Sequence, residues 1–482
     1  MDHFAKIVCT LGPSSNTKKT IQALINAGMN VARLNFSHGS HEDHAHLINL
    51  LRKISDETGT AITILQDLQG PKLRIGSLAG GKLVLEAGDQ VVLSSSKNYL
   101  VDDNEIFIPF EIPDLHKVLQ PGNHILLDDG NIEMEVQSIT GDRIEAEVTL
   151  GGILKSNKGV NLPGARLTMP SFTEKDKEDL KFGLQQCVDM IAISFVLSSD
   201  DILTVKKAIE EFAPNREAVK TPVIAKLERP EALEDLHSIM KVTDGVMVAR
   251  GDLGVEMSPA AVPIAQKEII ACANSYGKLV ITATQMLDSM INNPRPTRAE
   301  ATDVANAVFD GTDAVMLSGE TAAGKYPVES VQMMDSIVRR AEQNLDKWGK
   351  TILDSNLSQN SDAVSITKAA KKLATDRNVV AIIVFTQSGR TARLMSKARP
   401  GVPILAFTPE QRTFQQMAMY WGVTPLLVPY ADTLETMIRH VETAIATTTD
   451  LKPGQQVILI SGFPVGAFRQ PNLALLYTLG DT

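Results

Sequence analysis

Apolar positions along the chain group into short runs separated by longer stretches of helical spacing. Residues 6–11 (KIVCTL), 31–36 (VARLNF) and 61–66 (AITILQ) read as strands, and 17–27 carries apolar side chains at the interval of a helix face. Ser40 opens a second helix, with Asp43 three positions on as the acid of a short capping box. From about residue 71 to 167 the period drops to two. Alternating segments at 82–85, 90–94, 124–127 and 132–137 are joined by turns such as Asp129-Gly130 and Gly141-Asp142, which predicts a small all-β insert. The strand–helix rhythm then resumes, with strands predicted at 190–196, 223–227, 245–249, 279–284 and 313–318, each followed by ten or more residues of helical pattern.

Three strands before the insert and five after it make eight strand–helix units, the arithmetic of a (β/α)8 barrel rather than of a doubly wound sheet. The polar stretch 354–362 (DSNLSQNSD) reads as a linker, and strands at 379–385, 404–407, 424–428 and 456–460 with helices between them make one further open sheet. The predicted fold class is thus α/β: a barrel in residues 1–69 plus 168–346, a β-rich lid in 70–167 and a C-terminal α/β domain in 347–482.

Composition narrows the function classes. The chain has 482 residues, 43% hydrophobic and 22% charged, which suits a globular protein of about three domains and excludes disorder as the main state. No window approaches the ~18 apolar residues of a membrane span, and the start of the chain lacks the pattern of a secretory signal. Cys9, Cys187 and Cys272 are far apart and odd in number, as expected in a reducing cytoplasm. A net charge of −10 argues against nucleic acid or an anionic membrane as partner, but not against small anions bound locally.

In a barrel, function collects where the strands end. The second strand ends Arg33-Leu34-Asn35-Phe36-Ser37-His38, the third in Asp67, the fifth Lys226-Leu227-Glu228-Arg229 and the sixth Arg250-Gly251-Asp252. The seventh ends Thr282-Ala283-Thr284-Gln285 and the eighth Ser318-Gly319-Glu320. Lys226 and Glu228, two apart, share one strand face. Glu228 and Asp252 form the carboxylate pair that Mg²⁺ takes when it keeps waters and shares substrate oxygens. Arg33, Lys226 and Arg74 are cations suited to phosphate, so the set has the toolkit of phosphoryl transfer; a structural ion-pair network is the plainer alternative. Asn35, Ser37 and Asp67 suit a cation pocket and equally suit local turn capping. Two look-alikes fall away. Residues 319–325 match a phosphate loop through Lys325 but continue with Tyr326, not Ser or Thr. His38, His41, His44 and His46 lack a zinc spacing and read as a helix start.

Together these segments resemble pyruvate kinases of bacterial type. The stretches are 10–14, 30–39 (NVARLNFSHG), 158–163 (KGVNLP), 247–254 (MVARGDLG), 283–286 (ATQM) and 316–320 (MLSGE), and the likeness spans essentially the whole chain. The resemblance implies a barrel, a β-barrel lid inserted after the third strand, and a C-terminal regulatory α/β domain. It also implies phosphoryl transfer from phosphoenolpyruvate to ADP, giving pyruvate and ATP in the last step of glycolysis, in a cytoplasmic homotetramer.

By that resemblance Glu228 and Asp252 hold Mg²⁺, with Mn²⁺ as an alternative, and Lys226 and Arg33 stabilise the transferred phosphoryl group. Backbone near Gly251, Asp252 and Thr284 takes the substrate carboxylate, and Thr284 and Ser318 support protonation of the enolate. Arg74, His38, Lys158 and Asp129 lie by the nucleotide. Asn35, Ser37, Asp67 and Leu68 form the monovalent-cation pocket, but the family's Thr-Lys-Gly-Pro-Glu is Leu68-Gln69-Gly70-Pro71-Lys72 here. An ammonium in place of that glutamate supplies a fixed positive charge, as in the K⁺-independent branch, so K⁺ is expected not to be required.

Thr386, Ser388, Gly389, Arg390 and Thr391 match the effector phosphate loop. The partner loop 461–469 lacks the usual ending, which leaves a sugar phosphate, AMP or no effector. Another barrel enzyme acting on phosphoenolpyruvate or pyruvate, such as an aldolase or lyase, would not need the lid or Arg74 and Lys158. A metabolite sensor that had lost the chemistry predicts a broken site, yet Lys226, Glu228, Asp252 and Thr284 all stand.

Overall fold

The computed structural model describes residues 3–71, 73–95, 105–110, 112, 115–128, 130–165, 170–349, 361–467 and 469–481. Lys72 and Asp129, both singled out above, lie outside the described residues. Eight parallel strands close into a barrel: β1 (Lys6–Thr10), β2 (Met29–Asn35), β3 (Thr63–Asp67), β4 (Met190–Ile193), β5 (Val223–Leu227), β6 (Gly245–Ala249), β7 (Leu279–Ala283) and β8 (Ala314–Leu317). Neighbours follow chain order, and β8 closes on β1 with Lys6 opposite Ala314. The strands are apolar throughout because both faces are covered. Val8, Val31, Leu65, Ala192, Ile224, Met247, Ile281 and Met316 fill the interior, while the alternate residues pack on the helices outside.

Helix α1 (Lys18–Ala27) is capped by Thr17, and α2 (His41–Thr58) carries the anticipated capping box between Ser40 and Asp43. After β5 the expected ten-residue helix is instead two short ones, Glu231–Glu234 and Leu236–Val242, which meet at Asp235. The chain leaves the barrel after β3 and builds the lid around a core of its own that includes Ile108, Ile125, Met134 and Ala146. Its described strands form a six-stranded sheet and a two-stranded one. The chain re-enters at α3 (Glu174–Gln185). A short helix, α4 (Arg250–Glu256), follows β6 directly.

The C-terminal sheet has five strands, ordered Val423–Leu427, Ile404–Thr408, Ala381–Phe385, Gln456–Ser461 and Leu473–Thr478. The last runs antiparallel on an edge and was not anticipated. Helices α5 (Arg390–Ala398) and α6 (Gln411–Met417) turn this domain onto the mouth of the barrel where its strands begin. Gln415 of α6 accepts from the Ile62 amide (2.8 Å), and its carbonyl accepts from the Thr63 hydroxyl (2.6 Å). Among the described residues no helix is long and apolar enough to cross a membrane.

Candidate active site

Side chains two residues apart on a strand share a face. Stepping two residues from the interior layer toward the strand ends therefore converts apolar packing into a polar floor. Val8 gives Thr10, Val31 gives Arg33, Leu65 gives Asp67, Ala192 gives Ser194, Ile224 gives Lys226 and Met316 gives Ser318. Arg33 Nε donates to Asp67 Oδ2 (2.6 Å), and its Nη1 donates to Thr10 Oγ1 (2.9 Å). Lys226 Nζ lies 3.2 Å from Asp67 Oδ1, 2.9 Å from Glu228 Oε1 and 2.6 Å from Ser194 Oγ. Ser194 in turn donates to the Leu68 carbonyl (2.6 Å), and the Phe195 amide donates to Glu228 Oε2 (2.6 Å).

All four charged groups are buried, which sharpens their mutual influence. Burial pushes the Asp67 carboxyl up, but Lys226 and Arg33 outweigh it and hold the group below the usual carboxylate range. Burial disfavours charge on Lys226 as well; Asp67 and Glu228 more than reverse that and keep it protonated. Glu228 goes the other way. Burial, reinforced by Asp252, pushes its carboxyl up to about 7 despite Lys226. Lys226 is thus answered by the carboxylates of Asp67, Glu228 and Asp252, with Arg33 as the second cation on Asp67.

A cleft of about 200 Å³ opens above this floor, lined among others by Arg33, Asn35, Ser37, Lys226, Glu228 and Asp252. Arg229, named above as part of a strand end but given no role, also lines it, as do Ser194, Phe195 and Glu256, which the sequence did not single out. The lid closes one wall. Asn161 donates to Glu256 (2.9 Å), and Arg229 donates to the Ala165 carbonyl (3.1 Å). Glu228 and Asp252 present hard carboxylate oxygens and repel each other, which suits a hard divalent cation completed by water and substrate oxygens. Among the described residues no three His, Cys, Asp or Glu side chains converge as a closed metal cage.

Beside the cleft, Gly251 N donates to Thr284 Oγ1 (2.7 Å), and that hydroxyl donates to the Ala283 carbonyl (2.7 Å). Thr284 and Gln285 hold φ of 66° and 53°, and Phe195 holds 55°; for the β-branched Thr284 this is a strained backbone, as functional sites often carry. Arg250 sustains it by donating to the Ala283, Thr284 and Gln285 carbonyls. Ser318 Oγ is buried with no hydrogen-bond partner among the described residues, beside a Glu320 carboxylate that takes the Leu287 and Ser318 amides.

The remaining candidates divide. Asn35 Oδ1 accepts the Ser37 amide (3.1 Å), so the turn-capping reading of that pair holds locally. His38 is exposed at the rim. Arg74 donates to the Asn157 carbonyl (2.8 Å) and Lys158 pairs with Asp128 (2.6 Å), both on the lid and outside the cleft lining. Two neighbouring histidines have structural partners: His41 pairs with Asp179, and His44 stacks on Phe36 and bonds the His38 carbonyl. In the C-terminal domain, Thr386, Ser388, Arg390 and Thr391 line a separate cavity of about 260 Å³. The 461–467 loop and Arg469 line it too, and the Gly389 amide donates to Thr386 Oγ1 (3.1 Å).

The family model described as pyruvate kinase, barrel domain, matches residues 3–331, and the one described as pyruvate kinase, alpha/beta domain, matches 364–476. Curated pyruvate kinases of Staphylococcus epidermidis and Staphylococcus aureus are 42% identical over 479 residues, covering 99% of this chain and 80% of theirs. The chain belongs to the pyruvate kinase family, phosphotransferases that use a divalent metal ion to make pyruvate and ATP from phosphoenolpyruvate and ADP.

Proposed function

We propose that the cleft above Lys226 is where phosphoenolpyruvate meets ADP. The observation that carries this is the buried ammonium of Lys226, held at the cleft floor by Asp67, Glu228 and Ser194. Lys226 and Arg33 bind the phosphoryl group and neutralise its oxygens as it moves between donor and acceptor, the main protein contribution in such transfers. Glu228 and Asp252 would hold Mg²⁺, or Mn²⁺, which would supply Lewis-acid charge to the reaction.

The substrate carboxylate takes over the amides of Gly251 and Asp252. That releases the Thr284 hydroxyl from the Gly251 amide, so it can orient water together with Ser318 Oγ. Water so held delivers the proton to the enolate carbon. Arg74, His38, Lys158 and Asp129 receive the nucleotide when the lid closes and water is excluded.

The domain division 1–69 plus 168–346, 70–167 and 347–482 belongs to the same reading, as does a cytoplasmic homotetramer. Asn35, Ser37, Asp67 and Leu68 form the cation pocket, with the Lys72 ammonium as the built-in charge. The cavity at Thr386–Thr391 takes a phosphate monoester, a sugar phosphate or AMP; titration at subsaturating phosphoenolpyruvate tests it, and a flat response to each rejects it. Pyruvate formation from phosphoenolpyruvate, ADP and Mg²⁺ is measured with K⁺ and then with tetramethylammonium at equal ionic strength. Equal rates are expected. Activity only with K⁺ rejects the Lys72 argument, and no activity from folded protein rejects the assignment of the cleft.

A further inference from the structure

The lid is joined to the barrel by two crossings, one leaving after β3 and one returning into α3. Both converge on a single buried side chain, Asp176, which is 1% exposed. Its Oδ2 accepts the Thr173 amide (2.9 Å) and the Thr173 hydroxyl (2.6 Å), while Thr173 Oγ1 accepts the Asp176 amide (3.2 Å). This is the capping box of α3, and it sits on the returning crossing. Capping needs only that oxygen. The other, Oδ1, reaches out of the helix to accept the Gly70 amide on the outgoing crossing (3.0 Å).

Gly70 is fixed by more than this bond. Its φ is +69°, and a Cβ there would lie 2.9 Å from both Ser194 Cβ and Phe195 Cδ2. The outgoing strap therefore lies flat on the two residues that hold the catalytic charges. Ser194 Oγ receives Lys226 and donates to the Leu68 carbonyl two residues before Gly70, and the Phe195 amide holds Glu228. Just beyond the strap, Pro71 and Leu73 form cleft wall.

We infer that Asp176 is a positioning residue for the reaction. It staples the lid's two crossings into one hinge and sets the strap 68–70 against Ser194, and so fixes how the lid's wall and nucleotide-binding side chains approach Lys226. The nucleotide part of this statement rests on the proposed function of the lid. Misplacing such groups by a fraction of an ångström costs about tenfold or more in rate.

Three variants separate the staple from the helix cap. Asp176→Ala removes both. Asp176→Glu keeps the usual capping-box acid but displaces the oxygen facing Gly70, so it also serves if Asp176→Ala does not fold. Thr173→Val breaks the cap and leaves the Gly70 bond. Hydrogen–deuterium exchange over 68–75 is read together with steady-state kinetics. Asp176→Ala and Asp176→Glu are expected to exchange faster there, with KM for ADP raised about tenfold, kcat lowered and KM for phosphoenolpyruvate little changed. Thr173→Val is expected to lose thermal stability only. Unchanged exchange in Asp176→Glu, or the same kinetic profile in Thr173→Val, overturns the staple. Faster exchange with the KM change on phosphoenolpyruvate instead supports the staple and overturns the nucleotide role of the lid.

Discussion

At either end of the barrel a buried aspartate sits between two cations. At the rim, Asp67 is held by Arg33 and Lys226. At the base, Asp313 is held by Lys397 Nζ (2.5 Å) and Arg399 Nη2 (2.7 Å), which reach down from the end of α5. The base is sealed. Asp313 also takes the Val280 amide (2.9 Å), Lys397 donates to Asn274 (2.9 Å), and the Arg399 guanidinium covers the Trp421 ring at 4.2 Å. The rim instead opens into a cleft and adds the carboxylates of Glu228 and Asp252. The two lysines feel opposite results. Burial, with Arg399 beside it, depresses Lys397 to about 8 despite Asp313, whereas Asp67 and Glu228 keep Lys226 charged. Similar residues thus make a clasp where the ion pairs are closed in by packed side chains, and a site where they line an open cleft.

The largest effect that sharpens this contrast is at Lys226. Replacing it with Met is expected to lower kcat by about 10³-fold, the scale for removing one preorganised electrostatic contact. The melting temperature should fall less than in an Asp313 variant, since Asp67 keeps Arg33 and Glu228, already pushed up to about 7, is free to take a proton. Steady-state kinetics and thermal unfolding on the same preparation check both halves, and a large loss of stability would make the rim a clasp too. Asp313→Asn should do the reverse. It takes the hydrogen-bonded carboxylate away from two buried cations, a cost of about 3–5 kcal/mol, read as a lowered urea midpoint. At a temperature where this variant stays folded, its kcat should match that of the parent.

The rim was legible in the sequence because its residues stand at strand ends, as Lys226 and Glu228 do, after runs whose apolar character is unbroken. β4 was the exception. Ser194 sits inside a run read as strand through residue 196, and only its two-residue step from Ala192 marks it as inward-facing. The base clasp was not legible at all. Its partners lie 84 and 86 residues apart, and cations closing a helix are expected there for local reasons alone. The edge strand Leu473–Thr478 escaped because all six residues are half-buried, which gives neither a continuous apolar run nor a clean alternation. The helix after β5 was overcalled because apolar spacing persists across its break at Asp235.

The smallest effect tests the clasp's own charge count. If Lys397 is the surplus cation, Lys397→Met should change stability by no more than about 1 kcal/mol, because Arg399 still answers Asp313. The pH dependence then gives the sign. The folded lysine loses its proton near pH 8, while the unfolded one keeps it to the ordinary 10.5. Between those values the unfolded state binds more protons, so this group makes the parent protein gain stability as pH rises through the window. Below pH 8 both states are protonated and the burial penalty stands in full. The difference in unfolding midpoint between parent and Lys397→Met should therefore shift in the parent's favour from about pH 8 upward, and a constant difference would mean that Lys397 holds its proton as tightly folded as unfolded.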